Sequence, residues 1–182
     1  MSTTYSPREL AYAGLFGAAA LLLPFLFHLV RLGSVFMPMY LPLVALAFLV
    51  RPLPAAVTAG LTPLLSAAVT GMPPFYPPVA FFMAVELAVM AAIIAAARRS
   101  WPRASVWLIL VPALLMGRVL YVAMYYFFSR AAALPAPFLA TVSFVRGWPG
   151  IALMLVVVPA VVRIVERRGR PRHLVAGGEA GQ

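Results

Sequence analysis

Three ionisable side chains stand inside long apolar runs of this chain: Glu86, Arg118 and Arg146. A charge at the centre of a bilayer costs about 2.5–3.5 kcal/mol even on the gentler insertion scale, so each is expected to face a protein interior and meet a partner. Glu86 falls about eight residues into its run and Arg118 about fourteen into the next; at 1.5 Å per residue, antiparallel helices bring them within about 3–4 Å in depth. They can pair and lock two helices, or one or both can meet a polar ligand. Arg146 precedes Gly147, Trp148, Pro149 and Gly150, a sequence that cannot continue a regular helix. Its forked guanidinium suits a carboxylate or phosphate, the alternative being a side chain that snorkels to headgroups. Two arginines against one glutamate favour a ligand with an acidic group.

Aromatic residues surround these charges. Tyr121 and Tyr125 fall with Arg118 on an i, i+3, i+7 stripe, a candidate pocket wall. Phe36, Tyr40 and Trp148 are further wall candidates, although an interfacial aromatic belt explains many rings of this kind. His28 lies near a run end, where capping is its expected role. Between Phe36 and Glu86 the apolar sequence is interrupted by Pro38, Pro42, Gly60, Thr62, Pro63, Ser66, Thr70, Gly71, Pro73 and Pro74. Proline removes a backbone donor that lipid cannot replace, so this stretch is expected to line a cavity rather than to serve as an anchor.

The elements that must position these groups follow from composition. The 182 residues are 64% hydrophobic and 10% charged, with a mean hydropathy of +1.00, against about 25% charged in soluble domains. This is an integral membrane protein, all α-helical, in which charges and Pro/Gly clusters delimit six spans: approximately 9–30, 37–53, 54–71, 78–97, 104–128 and 138–165. The second and third are short and separated only by residues 51–54, which leaves a tight helical hairpin or a partly re-entrant pair open. Residues 1–168 form one membrane domain, and 169–182, rich in glycine and charge, read as a disordered tail.

The net charge is +10 and every basic residue is arginine. Arg8, Arg51, Arg98, Arg99, Arg103, Arg163, Arg167, Arg168, Arg170 and Arg172 fall on the side of the N-terminus, whereas Arg31 and Arg130 flank the opposite side. Both termini are therefore expected in the cytoplasm. The short polar start lacks a basic leader and cleavage site, so the first run reads as a retained span. Gly71 to Pro78 then lies outside as a stiff connection, with Met72, Pro73, Pro74, Phe75 and Tyr76 as a candidate lid. In the first span, Ala13/Gly17 and Gly14/Ala18 are small pairs at i, i+4 that allow close helix approach, within the bundle or to another membrane subunit.

Much chemistry is excluded. Without cysteine or aspartate, and with only two histidines, thiol catalysis and a metal cluster lack ligands. Ser66 has no nucleophile elbow, and no lysine-bearing phosphate loop exists for ATP hydrolysis. The arginines sit at run ends, as orientation in a bilayer requires, and not as a nucleic-acid surface.

The run from Phe36 to Pro42, then Pro63 to Ser66, Thr70 to Pro74 and Glu86 with Leu87, resembles the substrate-binding S components of energy-coupling factor (ECF) vitamin transporters. The similarity is closest from Ala11 to Arg99; many such sequences carry histidine where this one has Tyr40. The resemblance implies six helices with cytoplasmic termini, an outward-facing vitamin pocket closed by loops, and no catalysis or cofactor in this subunit. It also implies that Ala13/Gly17 or Gly14/Ala18 contacts a transmembrane coupling subunit, that two cytoplasmic ATPases power transport, and that the subunit topples to release its cargo. The setting would be a bacterial or archaeal cytoplasmic membrane. Pantothenate-like or corrinoid cargo fits an acidic ligand. A competing reading is a membrane scaffold or assembly protein whose buried charges are structural; an intramembrane enzyme lacks a nucleophile–base pair.

Overall fold

The computed structural model describes residues 6–29, 38–76, 78–131 and 148–168. Among them are six α-helices: α1 (Pro7–Leu29), α2 (Tyr40–Ala47), α3 (Pro52–Thr70), α4 (Val79–Ser100), α5 (Val106–Ala131) and α6 (Trp148–Arg168). Four, α3 to α6, are long and apolar enough to cross a membrane. The protein is thus an all-helical, membrane-embedded chain.

The prolines do less damage to the helices than expected. Pro52 and Pro54 occupy the first turn of α3, and Pro42 the first turn of α2, where the missing N–H has no intrahelical partner to lose. Pro63 lies inside α3 but is fully buried, and the helix continues through it to Thr70. The second run is where the structure departs most from a plain span. Its regular helix covers only eight residues, about 12 Å at 1.5 Å per residue. It ends in tightened bonds, with Phe48 N–H donating to the Ala45 carbonyl at 3.2 Å and Leu49 N–H to that of Leu46 at 2.8 Å. The two prolines after Arg51 then restart the chain as α3.

Side chains sort by size as they do in lipid. On α3 the large residues Leu53, Val57, Leu61, Leu65 and Val69 recur every fourth position and point outward, 48–82% exposed. Ala55, Ala59, Thr62, Ser66 and Ala67 face inward. With lipid tails as apolar as leucine, burying Leu gains little; small residues gain close contact and dispersion energy instead. The most extensive helix contact is accordingly α3 on α4, and a Cβ at Gly60 would meet Ala88 Cβ at 3.2 Å and the Ala84 carbonyl at 3.6 Å. The candidate pairs on α1 divide. Gly17 faces inward, where a Cβ would lie 3.2 Å from Thr58 Cγ2. Gly14 and Ala18 are exposed, and Gly14 has open space beside it.

Ion pairs gather the helix ends at one pole. Arg51 donates from its backbone N–H and Nε to Glu9, the closest contact being 2.9 Å, which joins α1 to the start of α3. Arg98 at the end of α4 donates to Glu166 of α6 at 2.6 Å and to the Ala104 carbonyl before α5 at 3.0 Å. Replacing Gly60 with leucine should force α3 off α4 and cost about 1–3 kcal/mol, lowering the melting temperature in mild detergent. Gly14→Leu should leave it unchanged, and equal effects would contradict this packing.

Candidate functional site

Glu86 reaches the interior because α4 presents Phe82, Glu86 and Met90 on one stripe at i, i+4 and i+8. The antiparallel α5 presents Tyr125, Tyr121, Arg118 and Gly117 toward it. Gly117 makes the approach possible: a Cβ there would sit 3.1 Å from Met90 Sδ and 3.3 Å from Glu86 Oε1. Glu86 is 1% exposed and Arg118 6%.

The two charges converge on Tyr40, the first residue of α2. The Tyr40 hydroxyl donates to Glu86 Oε2 at 2.5 Å, and the Arg118 guanidinium carbon lies 5.7 Å from the centre of the Tyr40 ring. Tyr40 is itself buried. Three helices thus each contribute one polar group to a single cluster: a carboxylate that accepts, a phenol that donates, and a cation over the ring face. In a medium with no water to satisfy it, the Glu86 carboxylate depends on such donors.

Beyond the cluster, away from the pole of ion pairs, the walls are aromatic. Tyr121 and Tyr125 stack with centroids 6.4 Å apart. Phe82 meets both edge-on, at 6.4 and 6.3 Å, and Phe128 at 5.7 Å. Edge-to-face pairs of this kind are each worth about 0.5–1.5 kcal/mol. Phe82 and Gly117 are site residues that were not expected from their chemistry. Their signals were Phe82 one helical turn from Glu86 and a small residue immediately before Arg118.

The connection from Gly71 to Pro78 is held at its α3 end by hydroxyls. Ser66 Oγ and Thr70 Oγ1 both donate to the Met72 carbonyl, at 2.7 and 3.1 Å, and Met72 N–H donates back to Thr70 Oγ1 at 3.2 Å. Gly71 takes φ of 73° as the left-handed cap of α3. At the α4 end, Ala80 N–H donates to the Pro74 carbonyl at 3.1 Å, and the Phe75 and Phe81 rings are 5.7 Å apart. Met72, Phe75 and Tyr76 are exposed. Phe36 and Arg146 lie outside the described residues, as do the side chains of His28 and Trp148.

Fold and cluster together define a membrane-embedded helical protein with a satisfied polar centre and aromatic walls. No family model, curated protein or solved structure matches the chain. Among the described residues, no group of three or more His, Cys, Asp or Glu could hold a metal ion.

Tyr40→Phe should destabilise the protein in detergent by about 1–3 kcal/mol, since it removes a donor from a buried carboxylate. In a cycle with Glu86→Gln the two effects should couple by at least about 0.5 kcal/mol. Additive losses in thermal unfolding would mean that the phenol does not support the carboxylate.

Proposed function

We propose that this chain is the substrate-binding membrane subunit of an ECF-type importer, which captures a vitamin or related small molecule. The observation that supports the reading is the Tyr40–Glu86–Arg118 cluster, brought together from three helices and walled by Phe82, Tyr121 and Tyr125. A helical anchor has no use for such a centre. The candidate binding set is Glu86, Arg118, Arg146, Tyr40, Tyr121, Tyr125, Trp148 and Phe36, under a lid of residues 72–76.

In this proposal the chain crosses the cytoplasmic membrane of a bacterium or archaeon six times, with both termini inside and the Arg51–Glu9 pole cytoplasmic. Residues 37–53 make the second crossing. Cargo enters from the opposite, aromatic end. The chain performs no catalysis; a coupling membrane subunit and two ATPases supply the energy. The outward Gly14/Ala18 face of α1 is the docking surface for the coupling subunit, whereas Gly17 serves internal packing.

A second reading is favoured by one observation: Glu86 already has a donor in Tyr40, as a purely structural charge would. On that reading the chain is a membrane scaffold. A Glu86→Gln/Arg118→Gln double variant separates the two. The importer loses vitamin uptake by at least about tenfold, the equivalent of one 1.4 kcal/mol contact, while a scaffold keeps its partners and has no uptake to lose. Purified protein should bind a carboxylate-bearing vitamin at micromolar concentration, and Arg146→Ala should weaken it. Screening water-soluble vitamins by calorimetry, with and without the coupling module, would sink the proposal if none bound.

A further inference from the structure

A large crevice among the described residues lies away from the Tyr40–Glu86–Arg118 cluster. It lies between the second half of α4 and the first half of α5, at the pole of the ion pairs, and encloses about 1150 Å³. Ile93 and Ala97 line one side, Leu108, Pro112 and Met116 the other, and Trp101 and Arg103 stand at its mouth. The walls run for about 10 Å along each helix at 1.5 Å per residue.

The crevice is graded from apolar to cationic. Its deep walls belong to helices apolar enough to cross a membrane, so what meets them is hydrocarbon. Its mouth carries an exposed guanidinium and, two residues away, Trp101, 65% exposed, the residue type that marks the headgroup level. Arg103 has no acidic side chain for a partner among the described residues: Glu9 is held by Arg51, Glu166 by Arg98, and Glu86 by Tyr40. The mouth is also built. Arg98 grips the Ala104 carbonyl at 3.0 Å and Glu166 at 2.6 Å, which fixes the loop carrying Trp101 and Arg103 against α6.

We propose that this crevice binds one anionic phospholipid, with the headgroup phosphate on Arg103 and an acyl chain along Ile93, Ala97, Leu108 and Pro112. The chemistry matches at both ends: a forked cation for phosphate oxygens and an apolar channel for methylenes. The lipid fills the gap between α4 and α5 on the face away from the cargo site.

Trp101 is the natural reporter. In a Trp107→Phe/Trp148→Phe background it is the sole tryptophan, and its fluorescence is read in nanodiscs containing phosphatidylglycerol or phosphatidylcholine brominated on the acyl chain. Brominated phosphatidylglycerol should reach half-maximal quenching at a mole fraction about fivefold lower than phosphatidylcholine, the equivalent of one arginine near the surface. Arg103→Ala should merge the two curves, and Arg103→Lys should keep most of the difference. Circular dichroism checks that the variants stay folded. Identical curves for the two lipids in the parent would mean bulk lipid contact only and overturn the proposal. So would a preference that survives Arg103→Ala, one abolished by millimolar inorganic phosphate, which would assign the site to a free anion, or one that emerges only after deletion of residues 169–182, which would make the chain's own tail the occupant.

Discussion

The hydrogen bond from the Tyr40 hydroxyl to Glu86 is the constraint on which the rest of the bundle depends. A carboxylate at this depth has no water to turn to, so its donor must come from another helix, and that requirement fixes where α2 stands against α4. Arg118 then takes its place over the same phenol from α5. Gly117 follows from that arrangement, because any side chain there would press on Glu86 and Met90. One polar contact thus sets the relative depth of three helices and accounts for a glycine on one of them.

The apolar packing obeys the same solvent. On α3 Leu53, Val57, Leu61, Leu65 and Val69 face outward and Ala55, Ala59, Thr62, Ser66 and Ala67 inward, the reverse of a soluble amphipathic helix. Small inward residues let backbones approach, and the short hydroxyl side chains among them find acceptors in their own helix or in the segment that follows it. Thr62 donates to Thr58 at 2.7 Å, and Ser66 to Met72. Polar atoms are therefore satisfied by proximity within and between adjoining segments. The same hydroxyls hold the connection after α3.

Much of this was legible in the sequence, and for definite reasons. Run lengths and arginine positions located the long helices, because the insulating thickness of a bilayer leaves few ways to read such a composition. The depth count placed Glu86 near Arg118. What the count could not supply was Tyr40 as the residue between them, since that depends on how far α2 descends before its prolines restart the chain. Proline positions alone do not say where a helix breaks: Pro42, Pro52 and Pro54 occupy first turns, and α3 carries Pro63 without a break. Phe82 and Gly117 escaped because neither is chemically conspicuous; each matters only for its position one turn or one residue from a charge.

The two poles of the bundle are held by different forces, and this asymmetry bears on how a ligand could reach the cluster. At the arginine pole, Glu9–Arg51 ties α1 to the start of α3, and Arg98 ties α4 to Glu166 of α6 and to the loop before α5. Parting Glu9 from Arg51 removes three hydrogen bonds at once, and parting Arg98 from Glu166 removes a short charge-assisted one. At the other pole Phe82 of α4 meets Tyr121, Tyr125 and Phe128 of α5 ring against ring, at centroid distances of 5.7–6.4 Å. A ligand with an apolar face can replace ring contacts with contacts of its own, at little net loss in dispersion energy. On the importer reading proposed above, the aromatic pole is therefore the easier route to Tyr40, Glu86 and Arg118, because ring contacts can be exchanged for ligand contacts whereas ion pairs cannot.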